Sequence, residues 1–231
     1  MGKRLFLDIE TCPPPDCERE QLNLELIAKL DSRWRLANNI PDSECPEEQY
    51  RRLSLYPETG CLIAVSLILE EDNNIVHRGV IGRDRSTMLF HGDERRTISS
   101  LWRLLSKACL DERRDLLVGH NIEFDLLWLK KRSVIHGLRP PFNICIPRYR
   151  SSGFIYDTMK EWDLYTWRPG MKLQELAELL RISVRKNGDG SQVFDWYRDG
   201  TVESHQKLAD YALIDVEVTR AVYRKLTFDG D

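Results

Sequence analysis

The chain has 231 residues, of which 42% are hydrophobic and 31% are charged. This composition belongs to a globular protein with enough apolar surface to form a core, so it excludes a disordered or fibrous protein. No apolar run reaches the roughly 20 residues that a membrane helix needs, and Asp8 follows the first apolar residues too closely for a signal peptide. We therefore expect a cytoplasmic protein with no membrane partner.

The net charge of −3 is distributed unevenly along the chain. Residues 8–58 contain twelve acidic and six basic residues, whereas residues 126–172 contain nine basic and three acidic ones. The second segment therefore predicts a basic surface. The six cysteines form no C-x-x-C pair, so the sequence gives no signal of a zinc site or a redox pair and predicts free thiols.

Apolar runs and helical periodicity predict an α/β fold in which helices flank a mixed sheet. Strands are predicted at residues 3–11, 60–70, 75–82, 116–118 and 154–156, the second and third of them as a hairpin. Helices are predicted at residues 94–110, 122–132, 173–180 and from an N-cap at Ser204 to about Leu226.

We expect one domain over residues 1–231, with a polar and partly helical insertion at about residues 12–58. The prolines that follow Cys12 prevent the first strand from continuing, and the segment 22–28 has helical character. The acidic insertion could serve as a surface for a protein partner, as a lid, or as a contact for self-association, and its composition does not choose among these roles.

Two carboxylates lie at the end of the first strand. Side chains alternate along a strand, so Asp8 and Glu10 point to the same face while Ile9 points to the other. Their Cβ atoms would be ~7 Å apart, close enough for both carboxylates to reach one hard cation. The pair alone is also typical of a solvated strand end.

The last helix carries an acid on its apolar stripe. The stripe consists of Leu208, Tyr211, Ala212, Asp215, Val218, Thr219 and Val222. Because a buried carboxylate needs a compensating partner, Asp215 predicts either a cation site or a core salt bridge. Tyr211 precedes Asp215 by one helical turn, so its hydroxyl could face the same site, although tyrosines on such stripes usually belong to the core.

A third polar group lies where a strand ends and a helix begins. Asn121 and Asp125 are four residues apart and would share one helix face. Asn121 could instead be only an N-cap. His120 is a lone histidine and is expected to be structural. Asp157 is expected to cap the next helix, with support of the site as the alternative.

Together these segments resemble the three motifs of the DEDD exonucleases in their tyrosine variant. The motifs are Asp-x-Glu at Asp8 and Glu10, Asn-x-x-Phe-Asp at Asn121 to Asp125, and Tyr-x-x-x-Asp at Tyr211 and Asp215. The chain is most similar to stand-alone exonucleases related to the proofreading domain of family B DNA polymerases. It departs from the common pattern at Thr11-Cys12-Pro13, where the family usually has Thr-Thr-Gly.

The resemblance implies a ribonuclease-H-like fold and a hydrolase that removes nucleoside monophosphates from a 3′ end with two divalent cations, Mg²⁺ or Mn²⁺. Under this resemblance Asp8 would bridge both metals, and Glu10 and Asp215 would complete the site of the attacking water. Asp125 would hold the second metal through water, and Tyr211 would orient the attacking water. Its ordinary pKa near 10 favours positioning over general-base action.

The expected partner is nucleic acid, with the 3′ ends of single-stranded DNA preferred over RNA. An inactive module that only binds nucleic acid is the alternative from another class. Thr11, Asn121 and Phe124 match family motifs and are expected near the terminal nucleotide. Arg148, Arg150 and Arg168 could contact phosphates or belong to a solvated face. Trp128 and Trp162 are expected in the core.

Overall fold

The computed structural model describes residues 2–14, 28–29, 32, 46–144, 153–166, 170–183, 188 and 190–229. The strands are β1 Lys3–Cys12, β2 Cys61–Glu71, β3 Asn74–Ile81, β4 Leu116–Gly119 and β5 Ile155–Asp157. The helices of five or more residues in these ranges are α1 Pro46–Arg52, α2 Glu94–Ala108, α3 Ile122–Ile135, α4 Thr158–Trp162, α5 Leu173–Leu179, α6 Val193–Asp199 and α7 Val202–Leu226. Short 3-10 turns occur at Leu53–Leu55 and Gly190–Gln192.

The five strands form one sheet in the order β3-β2-β1-β4-β5. β2 runs antiparallel to both β1 and β3, whereas β4 runs parallel to both β1 and β5. This arrangement confirms the prediction of a mixed sheet flanked by helices. It also makes β1 the central strand, so the residues at its end lie between both halves of the sheet.

The alternation of β1 side chains defines two layers. Leu5, Leu7 and Ile9 belong to the core under α2 and α3, which also contains the fully buried Trp128, as predicted. Phe6 points to the opposite layer, where it packs with residues of α7. Because Asp8 and Glu10 share the face of Phe6, they point toward α7.

Helix α7 buries the predicted stripe, but its N-cap differs from the prediction. Thr201 is the N-cap, and its Oγ1 accepts a hydrogen bond from the amide of Ser204 at 3.2 Å. The prediction of Ser204 as the cap is therefore wrong. Gly200 ends α6 in the left-handed region, with φ of 69°, and leaves Thr201 extended as a cap requires.

The end of the predicted insertion packs back onto the rest of the chain. The Tyr50 ring lies edge to face against Phe194 of α6 at 5.9 Å, and Arg51 forms an ion pair with Asp195 at 2.6 Å. Residues 15–27, 30–31 and 33–45 of the insertion, which include most of the predicted helical piece at 22–28, fall outside the described residues. Within the described ranges no helix is long and apolar enough to cross a membrane.

Two predictions about the segment 126–172 are wrong. Arg132 does not contribute to a basic surface, because its guanidinium pairs with the carboxylate of Glu94 and their side chains are only 12% and 6% exposed. Trp162 is 36% exposed and does not lie in the core. It ends the five-residue helix α4, which buries Thr158 at its other end.

Candidate functional site

A cleft of about 380 Å³ opens beside the end of β1, and we call it the site cleft. Its walls come from β1, the β4–α3 turn, α7 and the segment before α5. The lining residues are Asp8, Ile9, Glu10, His120, Asn121, Phe124, Asp125, Met159, Gly170, Met171, Lys172, Leu173, Tyr211 and Asp215. All five residues predicted to be catalytic are among them.

Asp8, Glu10 and Asp215 form the carboxylate cluster. Each of them offers one oxygen, and these oxygens all lie within 4.8 Å of one another. Glu10 and Asp215 are only 8% and 5% exposed. The pairing arises because α7 packs on the face of β1 to which Asp8 and Glu10 point.

The strand is irregular just after Glu10. Glu10 lies opposite Ala64 of β2, but the next pair is Thr11 with Leu62, so the ladder shifts by one residue. Irregularities of this kind re-aim side chains next to functional sites. Beyond the shift, the Thr11 hydroxyl donates to the carbonyl of Ser54 at 2.8 Å, and Thr11 is not among the residues of the cleft wall.

The carboxylate cluster fits a hard divalent cation. Three acidic oxygens this close repel one another, and in a partly buried site the repulsion is screened less than it would be in water. An oxygen-only set of carboxylates is the donor chemistry that Mg²⁺ and Mn²⁺ prefer. Asp8, Glu10 and Asp215 would therefore hold the cation directly.

Asp125 lies beside the cluster and is oriented by the backbone of β1. Its Oδ1 accepts a hydrogen bond from the amide of Ile9 at 2.9 Å. Burial, and then the nearby charge of Asp8, raise the pKa of Asp125 well above its ordinary value. The structure thus brings the fourth acid to the site cleft, beside the three converging carboxylates but outside their cluster.

Tyr211 lies on the same wall, one helical turn before Asp215. Its hydroxyl is hydrogen-bonded to Asp215, and its ring is packed edge to face by Trp196 at 5.7 Å. Burial, followed by the charges of Asp215, Glu10 and Asp8, raises the pKa of Tyr211 far above its usual value. The phenol therefore keeps its proton throughout the neutral and mildly alkaline range.

The turn between β4 and α3 presents Asn121 to the cleft. Asn121 occupies the N-cap position of α3 in the left-handed region, with φ of 56°, but its side chain makes no capping hydrogen bond. The interpretation of its side chain as an N-cap is therefore wrong. A Cβ on Gly119 would lie 2.7 Å from the Cβ of Ile122, so this tight turn needs glycine there. Unusual backbone conformations of this kind occur at functional sites.

Asp157 fixes this turn from β5. Its Oδ1 accepts hydrogen bonds from the amides of Asn121 and Met159, both at 2.9 to 3.0 Å, and from that of Lys160 at 3.4 Å. The prediction of a helix cap is confirmed, and the same oxygen also supports the site. Burial raises the pKa of Asp157 above its ordinary value.

The wall opposite the carboxylates was not predicted from the sequence. This wall is formed by Met159 and residues 170–173. His120 holds it in place through both ring nitrogens: Nδ1 lies 2.9 Å from the Thr158 hydroxyl, and Nε2 lies 2.9 Å from the Met171 carbonyl. This confirms a structural role for His120. Lys172 is the cationic residue of this wall, and its place in the basic segment 126–172 was the only sequence signal.

Two of the residues predicted to contact substrate lie at the site cleft. Asn121 and Phe124 line the site cleft, and the Phe124 ring packs against Trp128 at 6.2 Å. Arg148, Arg150 and Arg168 lie outside the described residues.

Comparison with known proteins adds one distant relative. The chain is 26% identical over 166 residues to an uncharacterized protein of Methanocaldococcus jannaschii, and this match covers 69% of the chain and 89% of the relative. No protein-family profile matches the sequence.

Proposed function

We propose that this protein is a metal-dependent 3′-to-5′ exonuclease with a ribonuclease-H-like fold, acting on single-stranded DNA ends. The observation that carries the proposal is the convergence of Asp8, Glu10 and Asp215 within 4.8 Å. The carboxylates that converge with that of Asp215 belong to two further acids, Asp8 and Glu10. A cluster of like charges is stable only with bound cations or protons.

The proposed reaction is hydrolysis of the terminal phosphodiester bond. Attack on this group is slow because its anionic oxygens repel a nucleophile and because the leaving oxygen develops charge. Divalent cations at the carboxylate cluster would supply a water of lowered pKa and neutralise charge on the phosphate and the leaving oxygen.

Residues of the chain orient this chemistry. Tyr211 keeps its proton and therefore acts as a hydrogen-bonding group that positions the attacking water, rather than as a base. Asp125 is fixed by the amide of Ile9 and lies next to Asp8. These contacts hold the reacting groups in place before substrate arrives.

The site cleft offers the contacts of a nucleic-acid substrate. Lys172 supplies a positive charge for a backbone phosphate. Phe124 offers an aromatic ring beside the cleft, and the exposed Asn121 offers an amide for hydrogen bonding. The substrate would thus lie between the acids of β1 and α7 and the segment before α5.

The test is digestion of single-stranded DNA and matched RNA, each labelled at the 3′ or the 5′ end, with Mg²⁺, Mn²⁺ or EDTA. We expect metal-dependent release of mononucleotides from the 3′ end, faster on DNA. Asp8→Ala and Asp215→Ala should abolish release, because each removes one of the three converging carboxylates.

The matched control is Asp210→Ala, an exposed acid on the same helix as Asp215 that does not line the site cleft. It should keep full activity. Faster digestion of RNA would assign the enzyme to RNA ends instead. Nucleic-acid binding without cleavage under either metal would contradict the proposal and favour an inactive binding module.

A further inference from the structure

A second cleft, rich in arginine, lies at the free edge of the sheet. Its volume is about 480 Å³, and it is formed by the end of β3, the loop that follows and α2. The arginine cleft contains the basic residues Arg83, Arg85, Arg96 and Arg103 and a single acid, Asp84. In a chain whose net charge is −3, this is a strong local concentration of positive charge.

Arg83 has donor capacity that the protein does not use. Its Nε donates to the carbonyl of Met88 at 2.6 Å, which fixes the guanidinium. Its Nη2 is buried and has no hydrogen-bond partner among the residues that the structure describes. The fixed guanidinium of Arg83 thus contributes its positive charge to the wall of the arginine cleft.

Asp84 offsets only part of the positive charge of the cleft, through a long ion pair with Arg96. Its carboxylate accepts hydrogen bonds from the amide and hydroxyl of Ser86 and from the amide of Thr87, which turns it toward its own loop. The nearest contact between Asp84 and Arg96 is 3.9 Å, too long for a hydrogen bond. The arginines therefore remain available to an anion.

His91 adds a neutral donor to the same wall. Its Nδ1 accepts from the amide of Asp93 at 3.0 Å, so the proton of the neutral ring is on Nε2. Burial and the positive charge of Arg96 lower the pKa of His91, which is consistent with positive potential in the cleft. Guanidinium, imidazole and the hydroxyl of Ser100 are donors of the kind that bind phosphate oxygens.

The arginine cleft lies at the same end of the sheet as the carboxylates. Glu10 lies opposite Ala64 of β2, and Gly82, which follows β3 with φ of 111°, comes against Ile63 and Ala64 on the other side. With neighbouring strands ~4.8 Å apart, the backbone of Gly82 is about 10 Å from that of Glu10. The carboxylates face α7, whereas α2, which forms part of the arginine cleft, packs on the other face of the sheet. A strand would therefore have to pass around this end of the sheet to occupy both clefts.

We propose that the arginine cleft is a second phosphate-binding site, which holds a backbone phosphate of the nucleic-acid strand away from its 3′ end. The choice of a strand as the source of the phosphate rests on the proposed function. The site would add affinity for long substrates over short ones, because only a strand several nucleotides long spans both clefts.

The test is binding of a fluorescein-labelled single-stranded DNA of about 20 nucleotides, measured by anisotropy in EDTA, so that cleavage is not needed. We expect the double variant Arg96→Gln, Arg103→Gln to bind this DNA about tenfold more weakly. The slope of log K against log salt concentration should become shallower by about 1.4, which is about 0.7 for each lost phosphate contact. Both side chains are exposed, so the fold should be preserved.

Arg95→Gln is the matched control, since Arg95 is exposed on the same helix but does not line the arginine cleft. It should leave affinity and salt slope unchanged. In a parallel titration, inorganic phosphate should shift the His91 imidazole resonances in the parent protein. Equal affinity of the double variant and the control would overturn the inference, even if the enzyme cleaves DNA. If phosphate shifts the His91 resonances but the double variant binds DNA as tightly as the parent protein, the cleft binds phosphate from a source other than a nucleic-acid strand, and this part of the inference would be wrong.

Discussion

At the scale of single residues, the site depends on how burial changes the chemistry of ordinary side chains. Tyr211 is an ordinary phenol that becomes harder to ionise because it is buried next to three acids. Asp125 is an ordinary carboxyl whose pKa rises for the same two reasons, burial and a neighbouring charge. Both shifts follow from positions that distant parts of the chain create.

Tyr211→Phe should slow turnover by about 100-fold, since the hydroxyl that orients the attacking water is lost while the ring stays in place. Metal affinity should change little, because the carboxylate cluster is intact. The pH profile of the variant between about pH 6 and about 9 should run parallel to that of the parent protein, since Tyr211 does not ionise in this range. Steady-state rates measured over this range provide the check. If the rate of the parent protein changes at alkaline pH and that change is absent in the variant, Tyr211 acts as a base.

At the scale of elements, short polar contacts decide where helices begin and how the cleft wall is held. Thr201 caps α7, which carries both Tyr211 and Asp215. Asp157 connects β5, α4 and the turn before α3 through one oxygen. The position of the candidate catalytic side chains therefore depends on residues that do not face the cleft.

Thr201→Ala should destabilise the protein by about 1 kcal/mol, because the amide of Ser204 loses its acceptor at the start of α7. In a chain of this length this corresponds to a loss of about 2–4 °C in Tm. Ser204→Ala removes only an exposed hydroxyl that donates to Asp199, and should change stability by less than about 0.5 kcal/mol. Equal losses in the two variants, measured by thermal melting, would contradict Thr201 as the cap.

Asp157→Ala should lower the free energy of unfolding by about 2–3 kcal/mol, because three backbone amides lose their acceptor at a buried position. Asp157→Asn keeps an oxygen that can accept these hydrogen bonds, so it should destabilise the protein less than Asp157→Ala. Urea unfolding of both variants measures the difference. If the alanine variant were as stable as the asparagine variant, the backbone bonds to Asp157 would not be what holds this turn.

At the scale of the whole molecule, the sheet and α7 are assembled around charges that oppose folding in the absence of metal. The folded-state pKa of Asp125 is raised, so its contribution to stability is present below the unfolded value of about 3.9 and is lost as pH rises through the folded value. The metal-free protein should therefore become less stable between acidic and neutral pH on account of this group.

Asp125→Asn should raise Tm in EDTA at neutral pH by about 2–4 °C, or about 1 kcal/mol, and should flatten the dependence of Tm on pH. The amide oxygen of asparagine can still accept from Ile9, so the change isolates the charge. Thermal melting at about pH 5 and about pH 8, with and without Mg²⁺, provides the measurement. We expect Mg²⁺ to raise Tm more in the parent protein than in the variant, and the opposite order would contradict this account.

The sequence alone was sufficient for the main strands, the long helices and the acidic residues and Tyr211 of the candidate site. Alternation in residues 3–11 placed Asp8 and Glu10 on one face, and the helical stripe placed Tyr211 and Asp215 together, because both patterns follow from local backbone geometry. The choice of Thr201 over Ser204 as a cap was missed, since both are good caps and the preceding Gly200 decided between them.

Only the tertiary structure decided which side chains meet. The local pattern of Arg132 is that of a basic surface, and it becomes a buried partner of Glu94 because α2 packs beside α3. The site cleft joins segments far apart in the chain, from Asp8 to Asp215, and no local periodicity encodes such contacts. Local geometry thus determined the chemistry that each element offers, whereas packing of the elements determined the two places where that chemistry converges.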